Sequence, residues 1–171
     1  MTFENPIIRY GILIVTAALL QYAVISQFRI LGVSADLLLV LAVAAGMRGG
    51  ADTGAIVGFF CGLLLDCLTV TPFGLGALAY LTAGVCGAGL ERATVHSARW
   101  LTMTVAALAS MAGILVFALV GAIVGDGDLV NGHLVTILLI VALTSSVLVF
   151  PVLAACRWAD PDEDRIRAAT R

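Results

Sequence analysis

Three stretches of this sequence carry no charged residue for as long as a helix needs to cross a bilayer: Tyr10 to Phe28, Trp100 to Gly125 and Leu134 to Cys156. A helix rises about 1.5 Å per residue, so about 20 apolar residues cover roughly 30 Å of hydrocarbon. Lipid offers no partner to a backbone N–H or C=O, which leaves helices and closed barrels as the spanning structures. Runs of this length point to helices. The composition agrees, with 61% hydrophobic and 12% charged residues against about 45–50% and about 25% in soluble domains. A mean hydropathy of +1.11 leaves too little polar surface for a water-soluble globule. Disorder is excluded as well, because disordered chains join low hydrophobicity to high net charge and this chain carries only -2. That slight acidity gives no sign of a nucleic-acid partner.

Between Ile30 and Leu90 the chain is as apolar but is punctuated by Asp36, Arg48, Asp52, Asp66 and the turn-like Thr71-Pro72-Phe73-Gly74. The pattern predicts three shorter helices there, Leu31 to Met47, Asp52 to Leu68 and Gly74 to Leu90, each nearer about 25 Å than 30 Å. The expectation is an all-α, polytopic transmembrane bundle of six helices. Five helices plus a re-entrant Asp52 to Leu68 is the alternative. With six spans and the N-terminus inside, Arg9, Arg48, Arg92, Arg99, Arg157, Arg165, Arg167 and Arg171 fall on the cytoplasmic side and Arg29 alone outside, in line with the positive-inside rule. Pro151 is expected to kink or end the last helix. The domain reading is one transmembrane unit over 1–156 and a charged cytoplasmic tail over 157–171. The first segment does not read as a cleaved leader, since its apolar run is long and no A-x-A site follows. No lipidation signal is evident.

Gly46, Gly50, Gly54, Gly58 and Gly62 recur every fourth residue. In a membrane such a stripe permits close backbone approach, either within the bundle or to a helix from another subunit; Gly50, Gly54, Gly58 and Gly62 are the candidate partner-helix face. Asp66 continues the stripe. A carboxylate inside a membrane is costly and is by default a functional hypothesis. In the six-span reading Asp36 lies at a similar depth, so the two could form a polar pocket with Arg29, Thr69 and Thr71. The other reading is that each caps a helix end. It suits Asp36 better than Asp66, since an anion at a helix C-terminus opposes the macrodipole. At the other face Arg48, Arg92 and Arg99 mark a cytoplasmic rim, and Arg48 with Asp52 has ion-pair spacing.

The remaining features are less specific. Asp126 to His133 departs from the calcium-loop pattern and reads as a polar outer loop. His96 lies among arginines and suits headgroup contact. Thr144, Ser145 and Ser146 are expected to bond back to their helix or to a neighbour. Cys61, Cys67, Cys86 and Cys156 fall within helices without metal or redox spacing. No nucleophile, base or phosphate loop of a known motif is present, so neither an enzyme nor a cofactor is expected.

The central segment resembles the bacterial rod shape-determining MreD family. The resemblance rests on Ser34-Ala35-Asp36-Leu-Leu-Leu, Met47-Arg48-Gly49, Gly54-Ala-Ile-Val-Gly58-Phe-Phe-Cys-Gly62-Leu-Leu-Leu-Asp66 and Pro72-Phe-Gly74 with Ala77, Leu78 and Tyr80. It covers about Leu31 to Leu90. It implies a multi-pass protein of the bacterial plasma (inner) membrane, both termini cytoplasmic, belonging to the cell-elongation machinery. The partner it implies is an MreC-like bitopic protein and, through it, RodA, a class B penicillin-binding protein and MreB. The family is also similar in architecture to the substrate-binding subunits of energy-coupling-factor transporters. Two functions follow as expectations: a non-enzymatic scaffold for peptidoglycan synthesis, or a subunit binding a small solute or membrane lipid between Asp36 and Asp66.

Overall fold

The computed structural model describes residues 6–23, 29–30, 33–34, 36–69, 73–93, 99–124 and 134–159. They form α1 (Pro6–Ala23), a short ladder of β1 (Arg29–Ile30) and β2 (Val33–Ser34), then α2 (Leu37–Leu68), α3 (Leu75–Ala93), α4 (Arg99–Val124) and α5 (Leu134–Ala159). The two strands pair antiparallel, Arg29 with Ser34 and Ile30 with Val33. Everything else in this set is helix or turn.

The second helix starts at Leu37 rather than Leu31. Asp36 holds an extended backbone, φ -105 and ψ 94, and its side chain accepts the Leu39 N–H, the geometry of an N-cap. Among the described residues there are five helices where six were expected, because α2 runs on through the boundary drawn between Met47 and Asp52. It is not straight. Gly50 has φ 82 and ψ -175, a conformation that a side chain disfavours, and the chain reverses there. A Cβ placed on Gly54 would lie 2.7 Å from the Gly46 Cα, whereas residues eight apart on a straight helix stand about 12 Å apart. The limbs 37–49 and 51–68 therefore fold back on each other. Gly50 belongs to this reversal and not to the packing stripe.

Pro151 neither ends nor divides α5, which continues to Ala159. One helical hydrogen bond is lost at Pro151, but Val149 and Val152 on either side are buried and hold the segment in place. Arg157 and Trp158 thus lie within this helix. Residues 160–171 lie outside the described set.

The first limb of α2 is the centre of the bundle. Leu38, Ala42, Val43, Ala44 and Ala45 have no exposed surface at all, as expected of a helix apolar on every side. Around it stand Ala17 and Ala18 of α1, Ala79 and Ala83 of α3, Val105 and Ala109 of α4, and Val141 and Val149 of α5. Small residues dominate the shell because five segments must approach one axis. On the outside, Leu115, Leu119 and Ile123 of α4 and Val135, Leu139, Leu143 and Val147 of α5 are exposed. Their fourfold spacing makes continuous apolar stripes suited to lipid.

By length and composition three helices could cross a membrane, Leu37–Leu68, Arg99–Ile123 and Val135–Ala159, the first of them counted through its reversal at Gly50; Ile8–Ala23 is a shorter apolar helix. Ser146 Oγ lies 3.4 Å from the Met103 carbonyl, so the start of α4 meets the middle of α5. The exposed Trp100 and Trp158 accordingly mark one end of the bundle, as interfacial tryptophans do.

Candidate functional site

Asp66 lies in the last turn of α2, where the macrodipole disfavours it, yet its carboxylate serves the next helix. Gly74 precedes α3 and has no side chain with which to cap it. Asp66 supplies the missing acceptor: Oδ2 takes the N–H groups of Gly74 at 2.9 Å and Ala77 at 3.2 Å, and Oδ1 takes that of Gly76 at 3.0 Å. A helix N-terminus leaves such donors unpaired and favours an anion. The expectation that an end-capping role suits Asp66 poorly is therefore corrected. Gly74 completes the turn with φ +96.

Asp36 is organised differently. One carboxylate oxygen accepts the Leu39 N–H at 3.2 Å; the other accepts the hydroxyl of Tyr80. Gln21 of α1 takes the Leu38 N–H at 3.0 Å and also bonds the Asp36 carboxylate. Beside Asp36 opens a cavity of about 230 Å³ lined by Tyr80, Leu39, Leu65, Phe117 and Val141 among others. Asp66 does not line it. The two carboxylates share one end of the bundle, but the structure does not bring them into a common pocket. Thr69 is occupied elsewhere, with its hydroxyl on the Leu65 carbonyl at 2.9 Å. Thr71 and the side chain of Arg29 lie outside the described residues.

The glycine stripe is filled from within. A Cβ on Gly54 would lie 2.7 Å from the Gly84 carbonyl, one on Gly58 would strike the Tyr80 carbonyl, and one on Gly62 that of Gly76. This face of α2 therefore receives α3 of the same chain. A foreign helix has no room there, so the stripe does not provide the partner face. The matching signal, Gly76 and Gly84 at helical spacing on α3, is legible in the sequence but was not part of the expectation.

The unfilled groove is on the other side of the second limb. Between it and α1 runs an apolar groove of about 630 Å³, with Gly11, Ile14 and Val15 on one wall and Ile56, Phe60 and Leu64 on the other. Nothing lies within 4 Å of where a Gly11 Cβ would be. Beyond the groove, α1 is fastened at its ends. Tyr22 donates to the Leu68 carbonyl at 3.1 Å. Arg9 donates to the Trp158 carbonyl at 3.1 Å and stacks its guanidinium 5.6 Å from the Trp158 ring centroid. Both carbonyls belong to helix C-termini, whose last acceptors lack partners inside the helix.

At the same end as Trp158, Arg48 is buried, Arg92 and Arg99 are exposed, and an Arg92 nitrogen would lie 3.0 Å from a Cβ on Gly50. The reversal at Gly50 means that Arg48 and Asp52 are not fourth neighbours on one helix. Thr144 and Ser146 bond back to Ile140 at 2.8 Å and Ala142 at 2.7 Å. The buried Ser145 hydroxyl has no partner among the described residues. Cys61 and Cys156 are buried, and none of the four cysteines forms a disulfide. Among the described residues no group of three His, Cys, Asp or Glu could hold a metal. His96, the segment 126–133 and Pro72 are outside them.

No family model matches this chain, and searches of curated proteins and of solved structures find no match. Fold and site together define an apolar, all-helical bundle with helices able to cross a membrane.

Proposed function

We propose that this chain is a non-enzymatic, multi-pass component of a bacterial plasma membrane that scaffolds the cell-elongation machinery. On this reading the two limbs of α2 are separate passes, giving six, with both termini cytoplasmic and an architecture similar to the substrate-binding subunits of energy-coupling-factor transporters. The side bearing Arg9, Arg48, Arg92 and Arg99 is the cytoplasmic rim, which the positive-inside rule supports. The MreD resemblance of Leu31 to Leu90 supplies the partner: the membrane helix of an MreC-like protein, and through it RodA, a class B penicillin-binding protein and MreB.

The observation that carries this reading is the groove between α1 and the second limb of α2. It is long, apolar and unfilled, while the glycine face is already occupied. Association in lipid rests on close packing, and Gly11 offers a point of close approach. Replacing Gly11 by Leu fills the groove without meeting any neighbour. Co-purification of the MreC-like protein from membranes should then fall at least tenfold, with insertion unchanged. Gly89→Leu, also in open space, serves as the control. Undiminished co-purification of the Gly11→Leu chain would sink the assignment of this face.

A further inference from the structure

We propose that the cavity beside Asp36 is a binding site for a small aliphatic molecule carrying a protonated amine. Its volume of about 230 Å³ falls below the roughly 300–1,000 Å³ of sites for drug-sized ligands, so the occupant is small. The walls are almost wholly aliphatic and aromatic: Leu39, Leu65, Phe117 and Val141, from three different helices. Polar chemistry is confined to one corner, where Asp36 meets Tyr80.

The class of ligand follows from how that corner is built. Every group bonded to the Asp36 carboxylate is neutral: the Leu38 and Leu39 amides, the Tyr80 phenol and the Gln21 carboxamide. Dipoles orient the carboxylate, but no described cation faces it. Carboxylates removed from water are normally paired with a positive group. Asp66 is placed differently: its oxygens take backbone N–H groups at the start of α3, and it lines neither cavity described above. At Asp36 an ammonium group would supply the missing charge, and its alkyl chain would lie along the apolar walls. An anionic amphiphile would be repelled, and a neutral one would gain only the walls. This inference stands apart from the scaffold reading and from the groove at Gly11.

The test is saturation binding of radiolabelled n-octylamine at pH 7 to the full chain in phosphatidylcholine nanodiscs, with empty nanodiscs subtracted. Saturable binding is expected, with n-octanol competing at least tenfold more weakly than unlabelled octylamine and octanoate not competing. Asp36→Asn should weaken binding at least tenfold, and Asn still caps a helix, so α2 keeps its start. Ala118→Leu fills the cavity from its α4 wall and should abolish binding. Absence of saturable binding, equal competition by octanol, or full binding by a folded Ala118→Leu chain each overturns the proposal. If Asp36→Asn does not fold, the Ala118→Leu result decides alone.

Discussion

The pairing of α2 with α3 and the attachment of α1 are two opposite ways of holding a helix in one small bundle. Along α2 and α3 backbone meets backbone: Gly54, Gly58 and Gly62 leave no space for even a methyl group before the carbonyls of Gly84, Tyr80 and Gly76. Along α1 the face toward the second limb of α2 stands off behind a groove, and the ends are fastened by Arg9, Gln21 and Tyr22 to the termini of other helices. A seam of glycines gives dispersion contact over its whole length and tolerates no enlargement. A helix tied at its ends tolerates change in its middle and can be re-covered by something else. The first suits a permanent scaffold, the second an exchangeable surface.

That contrast is most severely tested in the seam. Gly62→Leu should cost about 3 kcal/mol or more, since overpacking against backbone offers no easy relief, whereas Gly89→Leu should change stability by no more than about 0.5 kcal/mol. Thermal unfolding in detergent measures both, and equal midpoints would break the comparison. Next is the join between the two helices. Asp66→Ala orphans the N–H groups of Gly74, Gly76 and Ala77 and should cost about 1–3 kcal/mol; Asp66→Asn, which keeps an acceptor, should cost less. Tyr22→Phe removes the bond from α1 to the Leu68 carbonyl, worth about 0.5–1.5 kcal/mol. Its sharper readout is hydrogen exchange, which should quicken in α1 and stay unchanged in α3. Smallest of all, Gly11→Ala should leave the unfolding midpoint where it was, because the added methyl enters open groove.

How much of this the sequence announces depends on how local each cause is. The long charge-free runs became α1, α4 and α5 because lipid length and apolarity act residue by residue. The glycine spacing declared a close contact but not its partner, since a stripe on α2 fits α3 or a foreign helix equally until both are folded. The role of Asp66 is hidden in the sequence because its own helix end argues against an anion, while the helix that needs it starts nine residues later; the side-chain-less Gly74 just before that start is the available clue. Tyr80 as the partner of Asp36, 44 residues away, has no local signature. Gly50 read as one more member of the stripe, although the same residue type also serves a reversal, and only its dihedral angles separate the two uses.

The cap that Asp66 places on α3 bears on the order in which the chain assembles. It joins the end of one helix to the beginning of the next across a short stretch of sequence, and contacts of such short range form early and quickly. The second limb of α2 and α3 can therefore close into a hairpin as soon as both have emerged from the ribosome, before α4 and α5 exist to enclose the central limb. Synthesis would then deliver a finished seed, and the later helices would have only to wrap it.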